Sequence, residues 1–251
     1  MAAEIFDGLI LREETYSETG KRLIVLAKGI GKITLTARGA KSAKSPLAAP
    51  TQLFSYSSFS AYRNRNFYNA VAGDLIESFY DIRIDFEKMS YASVISEITE
   101  KSIPEGIESD EILHLVLITF AVLSGTDFPP RLASVIFQIK LLGLLGFMAK
   151  SGKCAVCGKN LDQEKKFFSS RAGGVICGGC SLKINGGMPL IEGTAKAIDF
   201  VLSNNGKKMF AFNVSEEVLK QLETVMWVYI RNHISPSLNS VNFIRKLNFN
   251  M

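Results

Sequence analysis

The sequence predicts an α+β protein of several domains: a small N-terminal β-barrel, an α-helical domain, and a metal-binding module inserted among the helices. Three observations support this prediction. Apolar and polar residues alternate over the first 80 residues, apolar residues recur with a helical period afterwards, and the four cysteines form two C-x-x-C pairs. We therefore expect a domain at residues 1–80 and a second at 81–251, interrupted by a module at 150–187.

Five short segments of the first domain have the alternation of β-strands, and no helix lies among the first four. The segments are 4–11, 22–27, 32–37, 53–62 and 66–72. A glycine-containing turn at 28–31 joins the second and third as a hairpin. Five short strands of this kind predict a closed barrel, and the OB-fold is the natural candidate.

After Phe79 the apolar residues recur about every 3.6 residues, which predicts helices. Ser109 and Ser215 are each followed by two acidic residues, so we expect each serine to cap a helix. Gly143 and Gly146 are expected to allow close packing of a helix at 131–148. The other predicted helices are 86–103, 109–124, 194–202, 215–233 and a tail helix around 241–247.

The four cysteines have the spacing of a structural zinc site. Cys154 and Cys157 form one pair, and Cys177 and Cys180 form the second after nineteen intervening residues. Each pair can hold one side of a tetrahedral ion. Four thiolates leave no position for water, so we expect Zn2+ in a structural role. A vestigial or redox-active set without metal is the alternative.

Positive charge is concentrated near the N-terminus. Residues 19–73 include no Asp or Glu, although the whole chain has 24. A region of one sign attracts polyanions, and phosphate backbones are the usual ones. A solvated basic face and an anionic membrane surface are the alternatives, and no amphipathic basic helix supports the second. The nine basic residues of the window are Lys21, Arg22, Lys28, Lys32, Arg38, Lys41, Lys44, Arg63 and Arg65.

Barrel and charge together indicate nucleic-acid binding, because OB barrels combine a basic groove with aromatic side chains on which bases stack. We expect one or two exposed rings among Tyr56, Phe59, Tyr62, Phe67 and Tyr68. The residues predicted to contact nucleic acid are Lys28, Lys32, Arg38, Lys41, Lys44, Arg63 and Arg65.

The sequence lacks the patterns of common catalytic sites, so we expect a protein that is not an enzyme. Its two histidines, His114 and His233, lie within helical apolar patterns. Neither a G-x-S-x-G nor an H-E-x-x-H motif is present. No apolar stretch is long enough to span a bilayer, and paired cysteines without a secretion signal suggest a cytoplasmic protein.

Three stretches of the sequence follow one another in an order typical of a known family. They are the basic loop at 37–46, the segment 137–147 leading into Cys154-Ala-Val-Cys157-Gly, and the glycine-rich segment 173–180. The second is the most specific, because an L-L-x-x-L-G-[YF] helix ending precedes a zinc knuckle. Over essentially the full chain, the sequence resembles the RecO family of bacterial DNA repair and recombination mediators.

This resemblance implies an N-terminal OB-fold, a helical body and a zinc module in which the metal maintains shape. It also implies binding to single- and double-stranded DNA, annealing of complementary strands, and a cytoplasmic, nucleoid-associated location. The implied partners are RecR, the C-terminal tail of the single-strand-binding protein and, indirectly, RecA. Arg38, Lys41 and Lys44 become the foremost candidates for phosphate contact. A zinc-ribbon RNA or transcription adaptor without annealing activity, and a zinc-dependent nucleic-acid enzyme, remain as alternatives.

Overall fold

A computed structural model describes residues 2–65, 67–148, 152–162, 164–184 and 187–246. By their internal contacts the residues form two compact units, Met1–Thr126 and Asp127–Met251. The barrel and the first helices along the chain thus belong to one unit. The domain boundary expected near residue 80 and the module limits expected at 150–187 stay predictions.

Five strands form a closed barrel at the N-terminus. They are β1 (Glu4–Thr15), β2 (Lys21–Ala27), β3 (Gly31–Ala37), β4 (Tyr56–Asn64) and β5 (Phe67–Glu77). The strand order is β1-β2-β3-β5-β4, with β3 parallel to β5 and the other pairs antiparallel. This topology confirms the predicted five-stranded OB-type barrel. The expected start of the fifth strand, Asn66, lies outside the described residues.

β1 is four residues longer than predicted because it pairs with two neighbours in succession. Its first half pairs with β4 and its second half pairs with β2, with an irregularity between Ile10 and Arg12. Inward-facing residues of all five strands fill the barrel. Among them, the Phe6 and Tyr68 rings pack edge to face with their centres 5.3 Å apart. Leu23, Leu35 and Phe59 are fully buried there. The outer face is partly covered as well, because Leu9, Leu11 and Leu26 are buried outside this cluster.

Phe54 was expected inside the fourth strand, but it precedes β4 and has a left-handed backbone with φ 67°. Its side chain is buried against the edge of Phe120, with ring centres 5.3 Å apart. Burial of this aromatic ring outweighs the cost of an uncommon backbone conformation.

Three helices complete the first unit: α1 (Tyr80–Ile84), α2 (Phe86–Ser102) and α3 (Asp110–Gly125). Asp85 caps α2, because its side chain accepts a hydrogen bond from the Lys88 amide. The prediction that the Ser109 side chain caps α3 is wrong. Its hydroxyl donates instead to the Ile107 carbonyl oxygen, and no side-chain cap is formed.

The second unit is helical and encloses a small three-stranded sheet. Its order is α4 (Pro130–Leu144), β6 (Lys166–Ser169), β7 (Gly174–Cys177), α5 (Gly178–Lys183), β8 (Met188–Pro189), α6 (Glu192–Ser203), a 3-10 helix (Gly206–Phe210), α7 (Glu216–His233) and α8 (Asn239–Lys246). The sheet has the order β7-β6-β8. The Ser215 side chain accepts from the Val218 amide and caps α7, as predicted.

α4 ends at Leu144, earlier than predicted, because Gly146 has a left-handed backbone with φ 76°. The Phe147 amide then donates to the Leu142 carbonyl oxygen, which closes the helix end. Gly143 does allow close packing, because a Cβ there would lie only 2.7 Å from the Leu202 Cδ2 atom. Gly146 ends the helix instead of packing within it.

Helix α7 fixes the inserted sheet to the helical body. The Tyr229 hydroxyl donates to the Phe147 carbonyl oxygen, and the Phe168 ring packs edge-on against Tyr229. The His233 Nε2 atom lies 3.0 Å from the Ser170 carbonyl oxygen, at the end of β6. His233 is thus a packing residue, whereas His114 is exposed on α3. In the described part of the chain, no helix has both the length and the apolar character needed to cross a bilayer.

Candidate functional site

The four cysteines meet at one place in the second unit. Their sulfur atoms all lie within 4.8 Å of one another, and the Cys157 and Cys177 Sγ atoms are 3.9 Å apart. Four thiolates around a tetrahedral zinc ion, each about 2.3 Å from the metal, would lie about 3.8 Å apart. The cluster therefore has the dimensions that a four-thiolate metal site requires.

Two tight turns bring the cysteines into this arrangement. In the first, the Cys154 amide donates to the Lys159 carbonyl oxygen, and the Gly158 amide donates back to the Cys154 carbonyl oxygen. Gly158 has φ 71°, a left-handed conformation that glycine adopts without strain. The second pair begins α5, where Cys177 occupies the N-cap position.

Backbone amides are directed at the sulfur atoms, as in metal-binding knuckles. The Cys177 amide donates to Cys154 Sγ and the Cys180 amide donates to Cys177 Sγ, each at 3.4 Å. Burial opposes ionisation of Cys154, but backbone donors outweigh it and lower the pKa of this thiol to about 6. The pKa of Cys180 is raised to about 12, mainly by burial and further by hydrogen bonds with the other thiols. A bound cation would favour the thiolate form of all four, so the donor set fits zinc.

The seven residues predicted to contact nucleic acid do not form one surface. Lys28 and Lys32 lie at the turn between β2 and β3, where the Gly29 amide donates to Asp110 Oδ1 of α3. The Lys32 Nζ atom donates to the Glu100 carbonyl oxygen at 2.7 Å, which ties β3 to α2. Contact of these two lysines with nucleic acid stays a prediction, but their surroundings give Lys32 a structural role.

Arg63 and Arg65 lie at the turn between β4 and β5, and both are exposed. The Arg63 guanidinium is 6.0 Å from the centre of the Tyr68 ring. The Tyr68 hydroxyl in turn donates to Glu4 Oε2 at 3.3 Å, so an acidic residue lies close to Arg63. These arginines form a second basic group, separate from the β2–β3 turn.

The window without acids in the sequence has acidic neighbours in space. The Lys21 ammonium pairs with Glu13 at 3.0 Å and also donates to the Thr51 carbonyl oxygen. Glu14 of β1 lies opposite Arg22 of β2. Because β1 brings these carboxylates beside β2, the positive field of the barrel is weaker than nine uncompensated charges would produce.

The outer face of β1, β2, β3 and β5 forms a groove of about 370 Å³. Directly paired residues on neighbouring strands present their side chains to the same face, so rows of pairs cross the groove. Two of the pairs are Arg12 with Ile24 on β1 and β2, and Arg22 with Thr36 on β2 and β3. The lining residues are Arg12, Glu14, Tyr16, Arg22, Ile24, Thr34, Thr36 and Phe67.

Tyr16 and Arg22 give this groove the character of a base-stacking site. The Tyr16 side chain is 51% exposed, and the Arg22 guanidinium lies 5.0 Å from the centre of its ring. Arg12 is offset by Glu14 and Glu100, whereas Arg22 forms no ion pair with any described residue. An aromatic ring beside an arginine without a direct ion pair suits a nucleobase and its phosphate, although Glu14 of the same groove weakens the local field.

Lys41 and the backbone of Arg38 lie near the turn at residues 16–20, beside the Tyr16 end of the groove. Arg38 is exposed in the turn after β3, and its Cα atom would lie 3.8 Å from a Cβ atom at Gly20. The Lys41 Nζ atom donates to the Ser17 carbonyl oxygen at 2.9 Å, beside Tyr16. Lys44 is exposed three residues further along the same loop. The structure thus places Lys41 beside one end of the groove, whereas contact of Arg38 and Lys44 with nucleic acid stays a prediction.

Tyr16 and Arg22 line the groove but are not among the seven predicted contacts. Tyr16 precedes the acid-free window and has Glu13, Glu14 and Glu18 around it in the sequence. The charge pattern therefore does not mark it as a nucleic-acid contact. The signal that could have found it is the two-residue period of β1, which places 12, 14 and 16 on one face. Among the five aromatic residues named from the sequence, Phe59 and Tyr68 are buried and Tyr62 is exposed.

The fold and the cysteine cluster define a class: a protein with an OB-type barrel, a helical region and a four-cysteine centre. Two family models match this chain, "Recombination protein O N terminal" over residues 1–79 and "Recombination protein O C terminal" over residues 83–241. The chain belongs to the RecO family of DNA repair proteins.

Individual relatives agree with this membership. The chain is 32% identical over 240 residues to the DNA repair protein RecO of Acetivibrio thermocellus, covering 96% of this chain and 95% of the relative. It is 27% identical to the RecO of a Thermoanaerobacter species over 241 residues, with 96% of both chains covered. It is 29% identical to the RecO of Alkaliphilus metalliredigens over 248 residues, covering 96% of this chain and 98% of the relative.

Proposed function

We propose that this protein is a recombination mediator that binds single- and double-stranded DNA, anneals complementary strands and helps RecR to load RecA. Membership in the RecO family supports the role in DNA repair. The observation that carries the proposal is the outer barrel groove, in which Tyr16, Phe67 and Arg22 lie together and Lys41 contacts Ser17 beside one end.

The proposed mechanism is charge neutralisation. Two complementary strands repel each other through their phosphates, and a basic surface that binds one strand lowers the cost of bringing up the second. Stacking of a base on Tyr16 would hold the first strand with its backbone towards Arg22 and Arg38. Base pairing then completes the process without a covalent step, so the proposal requires no catalytic residue and the protein would not be an enzyme.

In this proposal zinc has a structural role. Cys154, Cys157, Cys177 and Cys180 would hold the ion, which when bound cross-links the first knuckle to α5. β6 and β7 lie beside this cluster and are fixed to α7 through Phe168 and Tyr229. The metal would thereby maintain the shape of the inserted sheet and take no part in chemistry.

We further propose the partners and location that RecO membership suggests. They are RecR, the C-terminal tail of the single-strand-binding protein, RecA indirectly, and a cytoplasmic, nucleoid-associated location. Among the seven basic residues, Arg38, Lys41 and Lys44 would contact phosphate most directly. Lys28, Lys32, Arg63 and Arg65 would support the field around the groove.

An annealing experiment tests this function. Two complementary oligonucleotides with a fluorescence donor and acceptor are mixed with the full-length protein, and energy transfer reports duplex formation. We expect the protein to accelerate annealing above the spontaneous rate, most strongly at low salt. Binding to DNA or RNA without acceleration would instead indicate a zinc-ribbon RNA or transcription adaptor. Cleavage or extension of the labelled strand would indicate a nucleic-acid enzyme.

A further inference from the structure

The inserted zinc module is a second basic segment of the chain, besides the acid-free window at residues 19–73. Residues 150–187 include seven Lys or Arg and two Asp or Glu, from totals of 29 and 24 for the chain. The remainder therefore has 22 residues of each sign. The formal charge of +5 of the whole protein thus equals that of this segment. Acids elsewhere in the chain balance the basic residues of the 19–73 window, whereas few acids lie within 150–187 to balance the module.

The metal centre does not neutralise all of this positive charge. Four thiolates and one Zn2+ together contribute a charge of about −2, which two basic side chains would balance. Lys159 is already paired with Glu164 at 2.6 Å. After the metal centre is included, the segment still has a surplus of about three positive charges. Charge compensation for the thiolates is therefore an insufficient explanation.

Three lysines with exposed side chains surround the metal centre. Lys153 precedes Cys154 directly, Lys165 precedes the residue that pairs with Cys177, and Lys183 ends α5 three residues after Cys180. Chain connectivity keeps each within about 11 Å of a cysteine Cα atom. Among the described residues, none of the three forms an ion pair.

Beside Lys183, the short helix α5 presents Leu182, whose side chain is 81% exposed. An aliphatic side chain next to a cation can contact the faces of bases or sugars, as apolar side chains do in several DNA-binding proteins. The module therefore combines electrostatic attraction with a non-polar contact.

We infer that the zinc module is a second nucleic-acid-binding surface, which holds the phosphate backbone of the second strand during annealing. The inference rests on the proposed function, in which the barrel groove binds the first strand. It gives the protein two separate sites for strands, one in each compact unit. Annealing then requires both sites, whereas binding of a single strand requires the groove alone.

The first experiment counts strands. Short oligo(dT) is titrated into zinc-loaded, full-length protein at low salt, under stoichiometric conditions followed by fluorescence anisotropy. We expect two oligonucleotides for each wild-type molecule and one for Lys165→Ala with Lys183→Ala. The matched control is Lys207→Ala with Lys208→Ala, which removes two exposed lysines from the 3-10 helix and should still bind two. Zinc content and the circular dichroism of all proteins establish that the fold is intact.

The second experiment measures annealing with the same three proteins. Each phosphate contact on a single strand contributes about 0.7 to the slope of log affinity against log salt concentration. Loss of two contacts therefore predicts an annealing rate about 25-fold lower at 0.1 M salt. Affinity of the module variant for one strand should stay within about twofold of the wild type, because the groove is untouched.

The outcomes separate the inference from the proposed function. A wild-type protein that anneals but binds one oligonucleotide overturns the inference and leaves the proposed function standing. A wild-type protein that binds two oligonucleotides without annealing overturns the proposed function and retains the second site. If the module variant anneals normally but no longer binds poly-glutamate, the surface serves an acidic protein segment and the inference is wrong.

Discussion

Replacing Arg38 and Lys41 by alanine should weaken DNA binding without changing its sequence preference. Lys41 donates to the Ser17 carbonyl oxygen beside Tyr16, and Arg38 is exposed in the turn after β3. Each lost phosphate contact on a single strand lowers the slope of log affinity against log salt by about 0.7. The double variant should therefore bind about 25-fold more weakly at 0.1 M salt, a loss of about 1.9 kcal/mol.

The assay is fluorescence anisotropy with labelled single strands of several compositions, titrated at a series of salt concentrations. Arg38→Lys with Lys41→Arg is the matched control, because it retains both charges and should keep most of the salt slope. Lys207→Ala with Lys208→Ala controls for net charge. An unchanged salt slope in the alanine double variant would refute the reasoning. A loss confined to one base composition would indicate readout of bases instead of backbone.

Three other perturbations test the surrounding structure. Gly31→Ala should lower the free energy of unfolding by at least about 3 kcal/mol in urea, because its φ is 93° and a Cβ would overlap the Ile107 carbonyl. Gly29→Ala, with φ 70° but open space around it, should cost about 1 kcal/mol, and equal losses would contradict this account. Burial raises the pKa of Tyr229 from 10.0 to about 12, so the stability that depends on its neutral form is complete below pH 10 and lost as pH rises towards 12. In urea titrations, the free energy of unfolding of Tyr229→Phe should therefore fall less steeply than that of the wild type as the pH rises from 10 to 12. A parallel decline of the two proteins would contradict this reasoning. Removal of metal by a strong chelator should increase hydrogen exchange within 152–184 and leave barrel amides protected, whereas a simultaneous loss of barrel protection would show that the centre supports the whole protein.

Local patterns predicted the elements whose periodicity matched their burial. The alternation of Leu23, Val25, Ile33 and Leu35 is a property of the sequence, and these residues do fill the barrel. The four cysteines could be placed together from spacing alone, because a tetrahedral ion admits few arrangements of two C-x-x-C pairs. The family resemblance, seen in the basic loop and the helix before Cys154, agreed with both family models.

Tertiary contacts determined several features that the sequence patterns did not predict. Phe54 adopts a left-handed backbone because Phe120 offers a buried site, and Ser109 donates to a nearby carbonyl instead of capping α3. Nothing in the window from 19 to 73 shows that Lys21 meets Glu13 or that Lys32 meets the end of α2. Charge counted along the chain therefore overstated the positive surface of the barrel.

The groove itself depends on strand register. Tyr16, Arg22 and Phe67 lie on three different strands or loops, and their proximity follows from the closure of the barrel. A sequence pattern marks each residue as outward-facing but does not show which outward faces adjoin. The sites were thus predictable as residue types, whereas the surface that they form required the structure.

Ultraviolet cross-linking of a single-stranded oligonucleotide to the full-length protein, with mass spectrometry of the linked peptides, tests the central claim most directly. If the outer barrel groove holds the first strand, the cross-linked peptides will include Tyr16 or Phe67, and Tyr16→Leu will reduce the yield. Cross-links that occur only outside β1–β5, with an unchanged yield for Tyr16→Leu, would contradict the assignment of this groove.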